Sequence, residues 1–266
     1  PFGWHDTNNV AGAESTLTIG NNVDAYLDRD NNNAPDATNG RPDGGASLTF
    51  NHALDLTAAP TTVSNQNAAV TNLFVANNYI HDITAKYGFN EVAGNFQVNN
   101  FGRGGLGNDS VQAEAQDGGG TNNANFATPP DGFAPRMQMY NFTFTNPGRD
   151  GDLDAGIVVH EYGHGVSNRL TGGPANSNAL DALQSGGMGE GWSDWWALMF
   201  SQVATDTQND PRSIGAYSLG NSSGFRRFPY SYSMSVNPQT FADYSASTEV
   251  HDSGELWCAA LWDLNW

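Results

Sequence analysis

The chain has 266 residues, 38% of them hydrophobic with seven tryptophans, and a formal charge of −18. That composition can bury a sizeable core and excludes a disordered chain. Lys86 is the one lysine beside nine arginines, and so acidic a chain repels phosphate backbones and anionic lipid, which sets aside nucleic acid and membrane surfaces as partners.

In the first half, "NNVDAYLDRDNNNAPDATNGRPDGG" is dense in the residues that build turns. Asp28, Asp30, Asn32 and Asp36 within it offer oxygen ligands for calcium, although the glycine and glutamate of an EF-hand loop are missing. The plainer reading of the acidic surplus is solubility. Short alternating runs at 48–50, 96–98, 111–115 and 137–144 predict strands. Val70, Leu73, Phe74, Asn77, Ile80 and Ile83 recur at helical spacing and predict a helix over 67–87, stopped by Gly88. "GRGGLGNDS" and "DGGGTNN" do not lead into a helix with a phosphate-binding lysine, so both read as loops. His5, His52 and His81 carry no motif, and His81 reads as a structural histidine inside the predicted helix. Asn108, Asn141 and Asn221 head sequons that would accept sugar in a eukaryotic secretory pathway.

Past "NPGRDGDLDAG" the patterns turn helical, over about 152–170, about 188–204, and from about 251 onward. The expected fold is α+β, with a strand-rich lobe over 1–147 and a mainly helical lobe over 148–266. No run reaches the roughly 18–20 apolar residues of a membrane span. No basic-plus-apolar leader is present, so an exported form is expected to be already processed. Cys258, the one cysteine, excludes a disulfide within this chain and reads as a buried thiol.

The stretch "VHEYGHGVSNRL" carries the chemistry. Asp150, Asp152 and Asp154 crowd the start of its helix, where carboxylates cap free amides; Arg169 lies in its last turn and "GGP" at 172–174 ends it. Leu153, Ile157, His160 and His164 form one stripe, which leaves the two imidazoles about 40° apart and one turn from each other. Glu161 sits roughly 60° from His164, able to reach a water beside the metal without being a ligand. Two histidines from one turn with a glutamate between them is the donor set of zinc peptidases. A shuffled chain of this composition would contain the pentapeptide only about 0.4% of the time, which favours a metal over two histidines paired with nearby carboxylates. The third ligand should be a His, Asp or Glu on a neighbouring element, and Glu190 in "GGMGEGWSDWWALMFSQV" is the best candidate. That helix is apolar nearly all round and should be buried, so Glu190 and Asp194, four apart, need partners. Zinc for Glu190 and the outer nitrogen of a zinc histidine for Asp194 would serve; an arginine such as Arg169 is the other possibility.

"HEYGHGVSNRLTGG" followed by "SGGMGEGWSDWWA" closely resembles the fungalysin family of secreted metallopeptidases, relatives of thermolysin among the gluzincins. "PFGWHDTN", "NNANFATPPDG" and "MQMY" extend the resemblance over most of the chain. It implies a two-lobed thermolysin-like fold and a secreted zinc endopeptidase. It assigns zinc to His160, His164 and Glu190, the role of base and proton shuttle to Glu161, and the orienting of the first zinc histidine to Asp194. "EVHDSGELW" nominates His251 to hydrogen-bond the tetrahedral intermediate, against a plain surface or capping histidine. "GFRRFPYS" nominates Arg226, ahead of Arg227, to hold a substrate carbonyl. Asn123 and Ala124 resemble the edge strand that pairs with substrate backbone. Ile157 and Phe225 fall where the pocket beyond the scissile bond is lined, implying a hydrophobic preference there. The implied partners are protein or peptide substrates and an inhibitory propeptide before maturation, with the protein acting as a monomer. Family members continue past "AALWDLNW" with more helices, so the helical lobe is expected to be truncated here, with any partner of Cys258 in the missing part. Two rivals stay open. One is a non-catalytic, metal-stabilised extracellular binding module; the other is an exopeptidase, although nothing before His160 looks built to hold a free amino terminus.

Overall fold

"VDAYL" and "VQAEA" alternate: Val23, Ala25, Leu27, Val111, Ala113 and Ala115 share one fully buried face, and Tyr26 and Glu114 are buried on the other. The computed structural model describes residues 2–245 and 249–266. It pairs these runs in parallel as β1 (Val23–Leu27) and β2 (Val111–Ala115), Val23 opposite Val111. β3 (Ala124–Ala127) and β4 (Arg136–Met139) complete a sheet of order β1-β2-β4-β3, with β4 parallel to β2 and β3 an antiparallel edge. A two-stranded ribbon of β5 (Asn141–Phe142) and β6 (Arg149–Asp150) follows.

α1 (Val63–Lys86) lays Val70, Leu73, Phe74 and Ile80 into the core it shares with β1 and β2. Each such buried side chain stabilises by roughly 1.5–3 kcal/mol. Gly88, at φ +113°, lets the chain leave the helix. α2 (Ala155–Thr171) packs between α1 and α3 (Leu183–Ser201), and α3 packs along α5 (Val250–Asn265); α4 (Ala216–Leu219) is a single turn. None of the described helices is long and apolar enough to cross a membrane.

Several expected elements differ. Residues 48–50 form no strand, because a 3-10 turn at Gly45–Ser47 closes onto Leu48, whose φ is +51°. Residues 96–98 are irregular: Val98 N donates to Asn21 O at 2.7 Å and Gln97 N to Asp109 Oδ1 at 3.1 Å. The alternation there records burial of Phe96, not a ladder. The predicted 137–144 run is two strands, β4 and β5, separated at Tyr140. α2 begins at Ala155, after a separate turn over Gly151–Leu153. The helix of "GGMGEGWSDWWALMF" is less enclosed than its composition implied: Ala197 and Leu198 are buried, whereas Trp192, Trp195 and Trp196 are half-buried.

α3 and α5 meet along a seam of glycines. A Cβ on Gly191 would stand 2.6 Å from Gly254 O and from Trp257 Cβ, and one on Gly254 would stand 2.6 Å from Glu190 Cβ. These contacts are with backbone and stems that cannot swing away, so only glycine permits this approach. Gly191→Ala is therefore expected to cost about 1–3 kcal/mol, read as a lower urea midpoint at unchanged slope. A midpoint equal to the parent's would mean that the helices yield freely here.

Candidate metal centre and cleft

α2 starts where the sequence chemistry puts it. The Asp154 carboxylate accepts from Gly156 N at 3.2 Å and Ile157 N at 3.4 Å, and also from Ser218 N at 3.0 Å. One turn further on, His160 and His164 bring their Nε2 atoms to 3.1 Å, with the rings at 84°. From α3, Glu190 Oε2 lies 3.2 Å from His160 Nε2 and 3.6 Å from His164 Nε2. The three donor atoms lie within 4.8 Å of one another. Ligands at zinc–nitrogen and zinc–oxygen distances stand roughly 3.3–3.6 Å apart around a tetrahedral ion, so the separations lie within about 0.2 Å of that ion's demand.

The surroundings argue the same way. Glu190 Oε2 is buried without a hydrogen bond. Burial alone would raise its pKa, but the adjacent His160 imidazole and the charges of His164 and His251 bring it down to about 2. His160 donates Nδ1–H to Asp194 Oδ1 at 2.7 Å, which turns its Nε2 lone pair toward His164 and Glu190. Burial disfavours charge on His160, yet Asp194 and Glu190 raise its pKa to about 10; burial and the charge on His160 push His164 down to about 4. Acceptors thus converge on one point and favour positive charge there, and a divalent cation satisfies all of them together.

Asp194 is the hub behind the histidines. Its Oδ1 also accepts from Arg226 Nη2 at 2.8 Å, and its Oδ2 from Arg226 Nε at 2.6 Å and the Tyr230 hydroxyl at 2.5 Å. Burial would raise the carboxyl, but the charge and hydrogen bonds of Arg226, with His160, hold it well below the usual range. Arg169 lies elsewhere, fully buried against Asp109. Glu161 is buried, which pushes its carboxyl up to about 7, the charge of His160 opposing and that of Glu190 adding.

His160 and Glu161 open into a cleft of about 260 Å³ whose lining includes Asn123, Ala124, Ile157, Phe225, Arg226 and His251. His251 enters it from the first turn of α5, with Nε2 3.3 Å from Glu190 Oε2 and Nδ1 2.6 Å from Glu249 Oε1. Ala124 opens the edge strand β3. The two neighbouring arginines separate: Arg226 faces the cleft and Arg227 turns to Glu255, 2.7 Å away.

Residues 1–266 match the family described as fungalysin metallopeptidase (M36). The chain belongs to the fungalysin family. It is 46% identical over its whole length to proteins named extracellular metalloproteinase 2 of Arthroderma gypseum and of Trichophyton tonsurans, and extracellular metalloproteinase 3 of Arthroderma benhamiae. This fungalysin chain spans 41% of the length of each of those relatives. Membership brings the expectation of a bound metal.

Around the centre of this fungalysin chain, the cleft also holds residues that sequence reasoning did not single out. Asn122, Phe142 and Ile214 line it, Glu249 grips His251, and Tyr230 grips Asp194. Phe142 and Ile214 had no local signal, being single apolar residues in a strand and a loop. The calcium stretch is self-contained: Asp28 accepts from Asn32 N at 2.9 Å and Asn33 N at 2.8 Å, and Asp36 pairs with Arg29. Asp28, Asp30 and Asp36 lie close together, but their oxygens already serve a turn.

Proposed function

We propose that this chain is the catalytic part of a secreted zinc endopeptidase, hydrolysing internal peptide bonds with a hydrophobic residue favoured after the scissile bond. The observation that carries the reading is the convergence of His160, His164 and Glu190 at tetrahedral spacing with Glu161 beside them in an open cleft. Zinc held by those three residues would supply a Lewis acid and make water a nucleophile at neutral pH. Glu161 takes the proton of the attacking water and passes it to the departing amine. His251 and Arg226 donate hydrogen bonds to the peptide oxygen as its charge grows, and Asp194 holds His160 in the tautomer that binds metal. A strand-rich lobe over 1–147 and a helical lobe over 148–266 flank the cleft. Substrate backbone adds to the edge of β3 at Asn123 and Ala124. Ile157 and Phe225, joined by Phe142 and Ile214, receive the hydrophobic side chain. Export is supported by the word extracellular in the relatives' names. Their greater length leaves room for an inhibitory propeptide.

Hydrolysis of an end-blocked, internally quenched peptide tests the reading. Chelation is expected to abolish cleavage and added zinc to restore it. Zinc-loaded protein that leaves the peptide intact would favour a metal-stabilised binding module, and cleavage indifferent to chelator would remove the metal from the chemistry.

A further inference from the structure

The Asp194 carboxylate is buried, and its four hydrogen bonds come from three side chains. Two of those, His160 and Arg226, border the cleft. The third does not. Tyr230 is fully buried, outside the cleft, and reaches Asp194 from the side away from His160. Its backbone is fixed by a reciprocal pair with Arg212, Tyr230 N to Arg212 O at 2.7 Å and Arg212 N to Tyr230 O at 2.9 Å. The phenol therefore sits on an anchored frame.

We propose that Tyr230 is a positioning residue of the metal centre: its hydroxyl pins Asp194 Oδ2, so that Oδ1 stays on His160 Nδ1 and keeps His160 Nε2 aimed at the metal while Arg226 is free to engage substrate. This rests on the reading of His160, His164 and Glu190 as zinc ligands. The tyrosine acts two contacts from the ion and touches neither substrate nor metal. Removing its hydroxyl leaves a buried carboxylate oxygen with Arg226 alone, and the orientation of His160 then depends on a side chain with other work to do.

The test is the zinc Kd of the metal-free protein, measured by competition with a chromophoric chelator. Tyr230→Phe keeps the ring that fills the site and removes one oxygen; a native near-ultraviolet spectrum checks its fold, and Tyr230→Met serves if that spectrum is lost. The expected result is a Kd raised about tenfold, the lower end for groups that orient a ligand. In the Asp194→Asn background the same change should move Kd by less than about twofold, because the link it acts through is already broken. A Kd equal to the parent's in the single variant would overturn the proposal. So would a tenfold loss that persists in Asp194→Asn, since that pattern marks a general packing defect. His160→Ala run alongside separates the two layers: zinc binding as tight as the parent's would refute the ligand assignment itself, and the role of Tyr230 with it.

Discussion

Glu161→Gln is expected to lower kcat/KM on an end-blocked peptide by about 10²–10⁴-fold with zinc content unchanged. The carboxylate follows His160 directly on α2 and opens into the cleft, yet it is not among the atoms that converge on the metal position. Glutamine has the same length and still hydrogen-bonds, so packing and metal ligands stay as they are. What disappears is the ability to take a proton from water and return it to the amine nitrogen. Among the described residues of the cleft that do not converge on the metal position, the other group able to do so is His251, which Glu249 holds at its far nitrogen and which faces Glu190 with the near one. Turnover within about tenfold of the parent would therefore move the base to His251 and leave Glu161 a space-filler. Zinc lost together with activity would make Glu161 part of the metal-binding set.

How much of this was legible depends on whether the signal was local. α2 was readable because its cap, its histidine stripe and its terminating glycines lie within one stretch, and Asp154 does cap it. Glu190 and Asp194 stood out because two carboxylates in an apolar helix need partners. The sequence places the start of α3 at about 188 rather than Leu183, because Gly186 and Gly187 argue against a helix. Only the seam with α5 explains them, and a seam is not visible in one segment. β1 was hidden inside an Asn- and Asp-rich run for a similar reason: its five residues are a strand because β2 lies beside them. Tyr230 and Glu249 reach the site from 36 residues beyond Asp194 and from two residues before His251, with no periodicity to announce either. Residues 246–248, between the arginine segment and α5, lie outside the described part of the chain.

The sequence offers Arg169 as a partner for the α3 carboxylates, and its real position predicts the largest stability effect. It is fully buried. Nε donates to Pro129 O at 2.7 Å, Nη1 to Gly94 O at 2.9 Å and Asp109 Oδ2 at 3.1 Å, and Nη2 to Pro130 O at 3.1 Å and Phe133 O at 3.2 Å. The guanidinium also lies 5.0 Å from the centroid of Phe96. One side chain from the last turn of α2 thus ties down three loop segments, including the one that leaves β3 at the cleft. Arg169→Met preserves much of the stem volume but leaves four carbonyls without this donor and Asp109 without its counter-charge. Breaking a buried pair in this way costs about 3–5 kcal/mol, a large part of a typical total of about 5–15 kcal/mol. A melting temperature lower by roughly 10 °C follows for a chain of this size. Arg169→Lys should recover only part of it, because one ammonium cannot span the positions that the planar fork reaches. The loss should also depend on pH. Burial raises the Asp109 carboxyl to about 6, against the amide of Gln97 and the charge of Arg169. Without Arg169 it rises further. A raised acid contributes stability that is lost as pH climbs through its folded pKa, so the deficit should widen from about pH 5 to pH 8. A deficit that is flat over that range would assign the cost to the carbonyls, and a melting temperature unchanged at both ends would mean that the loops hold to α2 without the arginine.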